Sequence, residues 1–225
     1  MNLSDMTGQV IMISGISGQI GHMLVSTALE RGAKVLGIDV SMAEMEKTAV
    51  SESWDVNNIF MVEADIRISS EVKIAFESGV SRFGYVTSQI NNAGVSVFSP
   101  WMDRTDEEFD LVTNVNLKGS FNCMKVFMQY CIDTKRQGSI VNVASHYGLI
   151  SPDPKIYTDC ARRSPEIYGA SKAGVIQMTK YFAVNSIADG ADMRVNAVAP
   201  GGVRNPSDPQ GEDFQRLYGD RCPMG

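Results

Sequence analysis

The sequence has few of the residues that mark specialised classes of protein. It contains only 2 histidines and 4 cysteines, with no CxxC pair and no histidine at ligand spacing from a cysteine, so we predict free thiols and no metal site. No lysine and arginine run forms a basic stripe, and the formal net charge is -6, which argues against a nucleic-acid partner. No apolar run is long enough to span a bilayer, and the first residues do not resemble a secretory signal. These absences predict a cytoplasmic protein with no membrane partner.

The composition that remains is ordinary for a globular protein. With 44% hydrophobic and 20% charged residues, the chain is able to bury a sizeable core. No internal repeat or linker marks a boundary, so we predict a single domain over residues 1–225.

Short apolar runs alternate along the chain with segments of helical periodicity. This strict alternation predicts a parallel sheet covered by helices on both faces. Ligands of such folds bind beyond the carboxyl ends of the strands. Strands are predicted at 10–13, 34–39, 59–64, 86–91, 139–144 and 194–199, and helices at 19–30, after the capping box at 41–44, and at 71–82, 105–132 and 166–187.

A glycine-rich turn follows the first predicted strand and precedes the first predicted helix. Its glycines allow the backbone to approach a pyrophosphate, and the N-terminus of the helix would face the anion. Asp39 ends the second predicted strand, near the spacing at which a carboxylate accepts hydrogen bonds from ribose hydroxyls. It would repel a 2′-phosphate, and neither Ile16, Ser17 nor Val40 offers a compensating positive charge, so we predict NAD rather than NADP. The cofactor residues predicted here are Gly15, Ser17, Gly18, Gln19, Ile20, Gly21, Asp39, Asp65 and Ile66.

Two of these assignments have simpler alternatives. Asp65 ends the third predicted strand and is either a contact for the adenine amine or a solvated strand end. Asp39 by itself has the same alternative, and only its place after the glycine-rich turn favours a cofactor role.

The pentad YGASK places Tyr168 and Lys172 four residues apart, on one face of a helix that we expect to begin with Ser164 as N-cap and Pro165 at its first position. A cation beside a phenol favours the phenolate. Lowering the phenol's pKa by about 3 units corresponds to roughly 4 kcal/mol and brings the group into the range of a general acid or base. The Ser145 hydroxyl would hold the reacting oxygen in place. The alternative is an ordinary exposed helix turn.

These motifs, in this order and spacing, resemble those of the short-chain dehydrogenase/reductase family over nearly the whole chain. Besides the glycine-rich turn, Asp39 and the YGASK pentad, the resemblance includes NNAG at 91–94, NVNL at 114–117, IVNVA before Ser145, and RVN at 194–196 leading to PGG at 200–202. It implies a Rossmann-like doubly wound sheet in three α/β/α layers. The family usually continues for about one more helix and strand, so we expect the usual last strand to be lacking.

The resemblance also implies roles for particular residues. Tyr168 would be the catalytic acid/base, and Lys172 would lower its pKa and hydrogen-bond the nicotinamide ribose. Ser145 would orient and polarise the substrate oxygen, and Asn116 would hold a water that links Lys172 to solvent. Contacts to the adenosine ribose and the nicotinamide would come from Asn92, Ala93, Gly94, Pro200, Gly201, Gly202 and Val203.

Two features depart from the compact members of the family. The glycine spacing is GxxGxxG, with Gln19 in place of the middle glycine, and the gap between Ser145 and Tyr168 is long. Both are typical of the extended members, which act on nucleotide sugars, whereas the NNAG motif and the length are compact-type. We interpret the chain as a compact member with a lengthened active-site loop at 151–163, similar to members found with bacterial surface-sugar and flagellin-glycan pathways.

The resemblance therefore implies an NAD-dependent oxidoreductase that interconverts a secondary alcohol and a ketone, with a sugar-like small molecule as one candidate substrate. One alternative is a nucleotide-sugar epimerase or dehydratase that retains NAD, and another is a catalytically silent NAD-binding protein. Residues 1–225 would form one dinucleotide-binding and catalytic domain. The resemblance also implies a homodimer or homotetramer that packs through the helices near 106–132 and 166–187.

Overall fold

The computed structural model describes residues 5–159, 163–205 and 210–222. Six parallel strands form one sheet in the order β3-β2-β1-β4-β5-β6. The order reverses between β1 and β4, and this reversal leaves a crevice at the carboxyl edge of the sheet. The predicted parallel, doubly wound sheet is thus confirmed, and the described residues contain no seventh strand. The strands are β1 (Val10–Ser14), β2 (Lys34–Asp39), β3 (Ile59–Glu63), β4 (Ser88–Asn91), β5 (Gly138–Val143) and β6 (Met193–Val198).

Helices connect successive strands and cover both faces of the sheet. Their bounds are α1 (Gln19–Glu30), α2 (Met42–Ser51), α3 (Ser69–Phe83), α4 (Asp106–Thr113), α5 (Ser120–Thr134), α6 (Glu166–Asn185) and α7 (Glu212–Gly219). The predicted long helix at 105–132 is interrupted, because a π-helical turn over Asn114–Gly119 separates α4 from α5. Such turns are frequent at functional sites.

Capping residues explain where several helices begin. Ser41 accepts a hydrogen bond from the Glu44 N–H, and Thr105 and Glu108 form a reciprocal capping box at α4. The prediction for α6 is wrong by one residue. Pro165 is the N-cap, without a side-chain hydrogen bond, and the helix begins at Glu166. Its first turn therefore has no side-chain cap.

Two hydrophobic cores lie on opposite faces of the sheet. In the first, Met12 and Leu36 pack with Phe76 of α3 and Phe127 of α5, all of them buried, and Met178 of α6 packs against this group. In the second, alternate residues of the same strands pack against α1 and α2, through residues that include Ile11, Ile13, Val25, Val35 and Met45. Because side chains alternate between faces along a strand, this division fixes the register of the central strands.

Candidate active site

A cavity of about 740 Å³ lies at the carboxyl edge of the sheet, where the strand order reverses. It extends from the glycine-rich turn after β1 to the end of β5 and the first turns of α6. The structure brings together most of the residues predicted from the sequence. Those lining the cavity are Gly15, Ser17, Gly18, Gln19, Ile20, Asp39, Asp65, Ile66, Asn92, Ala93, Gly94, Ser145, Tyr168, Lys172, Pro200, Gly201 and Val203.

Three predicted residues, Gly21, Asn116 and Gly202, do not line the cavity. A Cβ added at Gly21 would lie 1.9 Å from the Gly15 carbonyl oxygen, so this glycine lets α1 pack against the turn. The Gly202 N–H donates to the Tyr218 hydroxyl of α7. Gly21 and Gly202 thus shape the cavity wall without lining it.

The glycine-rich turn is packed tightly against the loop that follows β4. Gly15 has a φ of +73°, a conformation that favours glycine, and a Cβ there would lie 2.7 Å from the Ala93 Cα. Asn92 secures this contact by donating from Nδ2 to the carbonyl oxygens of Ser14 and Gly15, at 3.1 and 3.0 Å. These bonds fix the two loops relative to each other on either side of the strand-order reversal.

The turn provides a cradle that suits a dinucleotide. The N-cap of α1 is Gly18, without a side-chain cap, and no acidic residue lies in the first turn of this helix. The N-terminal amides and dipole of α1 therefore favour an anion. The Ser17 hydroxyl is buried without a hydrogen-bond partner among the described residues. An uncapped helix start beside an unpaired hydroxyl fits a pyrophosphate group.

Asp39 lies where the sequence predicts, at the end of β2 beside the glycine-rich turn. Its Oδ2 accepts from the Ser17 N–H at 2.9 Å and its Oδ1 accepts from the Val40 N–H at 2.8 Å. These two bonds orient the carboxylate at the cavity wall. A carboxylate offers about four acceptor positions, so ribose hydroxyls can still bind.

Asp65 also lines the cavity, but a neighbouring arginine already engages its carboxylate. Arg67 Nε donates to Asp65 Oδ1 and Oδ2, at 3.0 and 2.8 Å, and Nη2 forms an ion pair with the same group. The hydrogen bond from the Arg67 side chain lowers the pKa of Asp65. Among the described lining residues, Arg67 and Lys172 are the basic ones, and Arg67 is neutralised by this pair.

Ser145 lies two residues beyond the buried end of β5 and is itself 6% exposed. Its Oγ accepts from the Tyr147 N–H at 3.2 Å, and the Ser145 hydroxyl lies close enough to the Tyr168 phenol to oppose the rise in its pKa. The turn after Ser145 is joined to the Pro200–Gly202 segment, because the His146 N–H donates to the Pro200 carbonyl at 3.0 Å. The serine and the phenol thus meet at the end of the cavity formed by β5 and α6.

Lys172 is 4% exposed, and its Nζ donates to the Val143 carbonyl oxygen at 2.7 Å. The ammonium lies 5.7 Å from the centre of the Tyr168 ring. Burial lowers the pKa of Lys172 to about 8. Removal from water disfavours the charged form of an amine, so this group titrates much closer to neutrality than an exposed lysine.

The prediction that Lys172 lowers the pKa of the Tyr168 phenol is wrong in this structure. Burial raises the pKa of Tyr168, and the hydrogen bond with Ser145 only partly opposes this effect. The lysine bonds the Val143 carbonyl rather than the phenolic oxygen. The protein's own side chains therefore hold Tyr168 as a protonated phenol, which is the form of an acid.

Asn116 is fully buried within the π-helical turn, and its side chain is fully engaged. Oδ1 accepts from the Val95 N–H at 2.8 Å, while Nδ2 donates to the Val95 carbonyl and to Ser171 Oγ, both at 3.0 Å. The Asn116 carbonyl oxygen accepts from Ser120 Oγ at 2.7 Å. The residue therefore joins the loop after β4 to α6, next to Lys172.

Of the lengthened loop predicted at 151–163, the structure describes residues 151–159 and 163. The described part of the loop packs against α7. Asp159 accepts from the N–H groups of Asp213 and Phe214, at 2.9 and 3.2 Å, and so caps the start of α7. Arg221 Nη2 donates to Asp153 Oδ2 at 2.9 Å, just beyond the other end of the helix. With Tyr218 bonded to Gly202, these contacts hold α7 beside the Ser145 end of the cavity.

Several lining residues were not predicted from the sequence. Ser41 and Glu44 follow β2, and their place after a strand end was the signal that could have found them. Leu111 of α4 and Val115 of the π-helical turn carried no such signal, because their spacing is that of a helix face packed in a core.

Among residues 5–159, 163–205 and 210–222, no group of three or more His, Cys, Asp or Glu side chains could hold a metal ion. Cys123, Cys131 and Cys222 are free thiols. None of the helices described is both long and apolar enough to cross a membrane.

Comparison with known proteins gives a consistent result. Residues 9–215 match the family described as short chain dehydrogenase. The chain is 33% identical over 199 residues to 3-oxoacyl-(acyl-carrier-protein) reductase FabG of Thermotoga maritima, covering 88% of this chain and 76% of that protein. It is 29% identical to oxidoreductase UcpA of Escherichia coli, covering 91% of this chain and 73% of UcpA.

A solved structure is similar over almost the whole chain. It is a short-chain dehydrogenase from Leptospira borgpetersenii with bound NAD+, which shares 35% sequence identity at a TM-score of 0.84. The similarity covers 98% of this chain and 80% of that one.

Proposed function

Because this chain belongs to the short-chain dehydrogenase family, whose members are oxidoreductases acting on CH–OH groups, we propose that it interconverts a secondary alcohol and a ketone with NAD. One observation carries the proposal. A single cavity has an uncapped helix start and Asp39 at one end, and Ser145, Tyr168 and Lys172 at the other. That arrangement suits a dinucleotide lying beside a proton-transfer site.

In this proposal the cofactor supplies the hydride acceptor or donor, and the protein supplies position and proton transfer. Tyr168 transfers the proton to or from the substrate oxygen, and Ser145 hydrogen-bonds and polarises that oxygen. Lys172, buried and with a pKa near 8, supports the phenol and binds the nicotinamide ribose. Asn116 fixes α6 beside the loop after β4, and a water held near it would connect Lys172 with solvent.

The remaining cofactor residues are proposed from their place on the cavity wall. The glycine-rich turn would bind the pyrophosphate and Asp39 the adenosine ribose. Asp65 and Ile66 lie beside the expected adenine position. Nicotinamide contacts would come from Pro200, Gly201 and Val203, with Gly202 supporting them from behind.

The proposed preference for NAD over NADP rests on Asp39. Its carboxylate is held at the wall by two backbone N–H groups. The neighbouring guanidinium of Arg67 is paired with Asp65 and leaves little positive charge for a 2′-phosphate. A relative with NAD+ bound supports the same choice.

A sugar-like substrate, of the kind met in bacterial surface-sugar and flagellin-glycan pathways, is proposed from the lengthened loop. Its residues Asp153, Tyr157 and Asp159 all contact α7 or the segment that follows it. The loop and α7 therefore pack as one unit next to the turn that follows Ser145, and we propose that this unit faces a substrate with several hydroxyl groups.

Exposed apolar residues support a homodimer or homotetramer. Phe109 of α4, Phe121 of α5, and Tyr181 and Val184 of α6 are between 39 and 76% exposed. We propose that these helices pack against a second copy of the chain. We also propose that residues 1–225 form one dinucleotide-binding and catalytic domain in the cytoplasm, where free thiols such as Cys222 persist.

A redox-neutral epimerase or dehydratase is the second candidate, and one contact favours it. Gln19 Nε2 donates to the Arg204 carbonyl at 2.5 Å and joins the glycine-rich turn to the segment after Gly202. A bond between two walls of the cavity suits a cofactor that is retained through turnover.

The deciding experiment follows NADH absorbance over a panel of secondary alcohols, ketones, sugars and nucleotide sugars. The proposal predicts a net change in NADH with at least one alcohol or ketone. Conversion of a nucleotide sugar without net NADH, with NAD that co-purifies, would support the epimerase or dehydratase. Tight NAD binding without any turnover would support a silent binding protein.

A further inference from the structure

Arg104 is a buried cation that joins three separate segments beside the catalytic helix. Its side chain is only 6% exposed. Nη2 donates to the Ser99 carbonyl oxygen at 2.9 Å, in the loop after β4. Nε donates to Glu166 Oε1 at 3.1 Å, and Nη1 lies 3.4 Å from Glu108 Oε2. The planar guanidinium, with five N–H donors, can bond these three partners at once.

Helix α6 is anchored well at Lys172 but has fewer polar anchors in its first turn. Lys172 is bonded to the end of β5, and Ser171 is bonded to Asn116. Tyr168 is the third residue of the helix, in a turn whose N-cap, Pro165, makes no side-chain hydrogen bond. Helix ends without caps leave unsatisfied N–H groups and fray readily. The first turn therefore depends on other contacts to keep Tyr168 in place.

Two residues supply such contacts to the first turn. Ile167 is 4% exposed, so its side chain is buried in the protein interior. Glu166, the first residue of α6, is bound by Arg104 through both carboxylate oxygens, with Nη2 at 3.4 Å from Oε2. The hydrogen bond from Arg104 lowers the pKa of Glu166, so the pair stays ionised at neutral pH.

We propose that Arg104 is a positioning residue for proton transfer. By holding Glu166, it fixes the first turn of α6 and keeps the Tyr168 hydroxyl beside Ser145. Arg104 does not line the cavity, so it acts through α6 and not by contact with substrate. The inference rests on the proposed role of Tyr168.

The test compares Arg104→Gln, Arg104→Lys and Glu166→Gln with a control, Lys73→Gln, which removes an exposed ion pair with Glu77 on α3. A displacement of about 1 Å in a reacting group can lower a rate about 100-fold, so we expect kcat to fall by about 10- to 100-fold in Arg104→Gln. NADH affinity should stay unchanged, because the cofactor cradle is elsewhere. Arg104→Lys should recover part of the rate, since it keeps the charge opposite Glu166.

Arg104→Gln is also measured in the Tyr168→Phe background, because this comparison distinguishes a positioning role of Arg104 from a merely structural one. If Arg104 acts through the phenol, Arg104→Gln should lower kcat no further once the phenolic hydroxyl is gone. An equal further loss in that background would overturn the proposal. So would an unchanged kcat in both Arg104→Gln and Glu166→Gln, or a parallel loss of NADH affinity.

Replacement of the buried Arg104 could impair folding, whereas the Glu166 side chain is 53% exposed and its replacement leaves the core intact. Glu166→Gln therefore tests the same ion pair without a folding defect. Hydrogen exchange of the amides of residues 166–170 should be faster in this variant than in wild type, and unchanged in Lys73→Gln. This readout needs no turnover. An inactive wild type would count against the proposed function, whereas unchanged exchange in Glu166→Gln would overturn the coupling itself.

Discussion

Lys172 Nζ donates a 2.7 Å hydrogen bond to the carbonyl oxygen of Val143, the last residue of β5. This bond holds a buried ammonium at the end of the strand, 5.7 Å from the centre of the Tyr168 ring. The pair is therefore organised by the sheet as well as by the helix that carries both residues. Its electrostatic consequence is a depressed pKa for the lysine and a raised one for the tyrosine.

Burial of Lys172 should give the protein a distinctive stability profile at alkaline pH. The pKa of Lys172 is about 8 in the folded protein and near its ordinary value when unfolded, so between these values the unfolded state binds more protons. The Lys172 contribution to stability should therefore rise with pH through that window, by about 3 kcal/mol in all. The buried thiols of Cys123 and Cys131, whose pKa values burial raises, lower the stability of any variant above about pH 9, so the test compares wild type with Lys172→Met. Urea unfolding of both proteins at pH 7.5, 8.5, 9.5 and 10.5 should show the free energy of unfolding of the wild type rising relative to that of the variant. Parallel pH profiles of the two proteins would show that Lys172 makes no such contribution.

Asp39→Asn should weaken the discrimination between NADH and NADPH. Two charges about 4 Å apart interact by about 1 kcal/mol in water and by about 4 kcal/mol near a protein surface. The preference for NADH over NADPH should therefore fall by about 10-fold or more. Thermal shift and fluorescence titration with both cofactors measure it. Glu63→Gln is the matched control, because Glu63 ends the adjacent strand β3 and pairs with Asp39 in the sheet. A larger thermal shift of the wild type with NADPH than with NADH would contradict the assignment.

Two glycines of the first turn should respond differently to alanine. Gly21→Ala places a Cβ 1.9 Å from the Gly15 carbonyl, and relief of this overlap should cost about 1 to 3 kcal/mol and displace the turn. Gly18→Ala meets its nearest atom at an ordinary 3.4 Å, so the fold should be unaffected while NADH binding weakens at the cavity wall. Thermal melting and NADH titration of both variants check the pair. Equal melting temperatures for Gly21→Ala and wild type would refute the packing role.

Asp159→Ala should loosen α7 without affecting the cofactor. The variant removes both acceptors that cap the helix, and loss of an N-cap costs about 0.5 to 2 kcal/mol. Because α7 contacts Gly202 and the turn after Ser145, KM for substrate should rise while NADH affinity stays the same. Asp55→Ala, which removes a similar side-chain contact to the Asn57 N–H before β3, is the control. An unchanged KM in Asp159→Ala would show that α7 does not contribute to substrate binding.

The fold could be predicted from the sequence because its signals are local. Strands β1 and β2 are apolar runs bounded by turns, and the predicted bounds agree with the structure within one residue. The break between α4 and α5 could not be predicted, because Asn114–Gly119 keeps helical spacing while its hydrogen bonds shift by one residue.

The cofactor end of the site was predictable for the same reason, since its glycines and Asp39 lie close together in sequence. Arg104 was not, because its partner Glu166 on α6 is 62 residues away in the sequence and meets it only in three dimensions. The pKa of Tyr168 was predicted in the wrong direction, because burial outweighs the effect of a cation four residues away and cannot be judged from spacing.

We propose that the Tyr168 phenol transfers the proton in a dehydrogenase whose cofactor binds independently of it. Steady-state turnover and NADH titration of Tyr168→Phe test this claim together. General acid–base catalysis contributes about 100- to 10,000-fold, so we expect a loss of kcat of that size with NADH affinity unchanged. Full turnover in Tyr168→Phe would contradict the account.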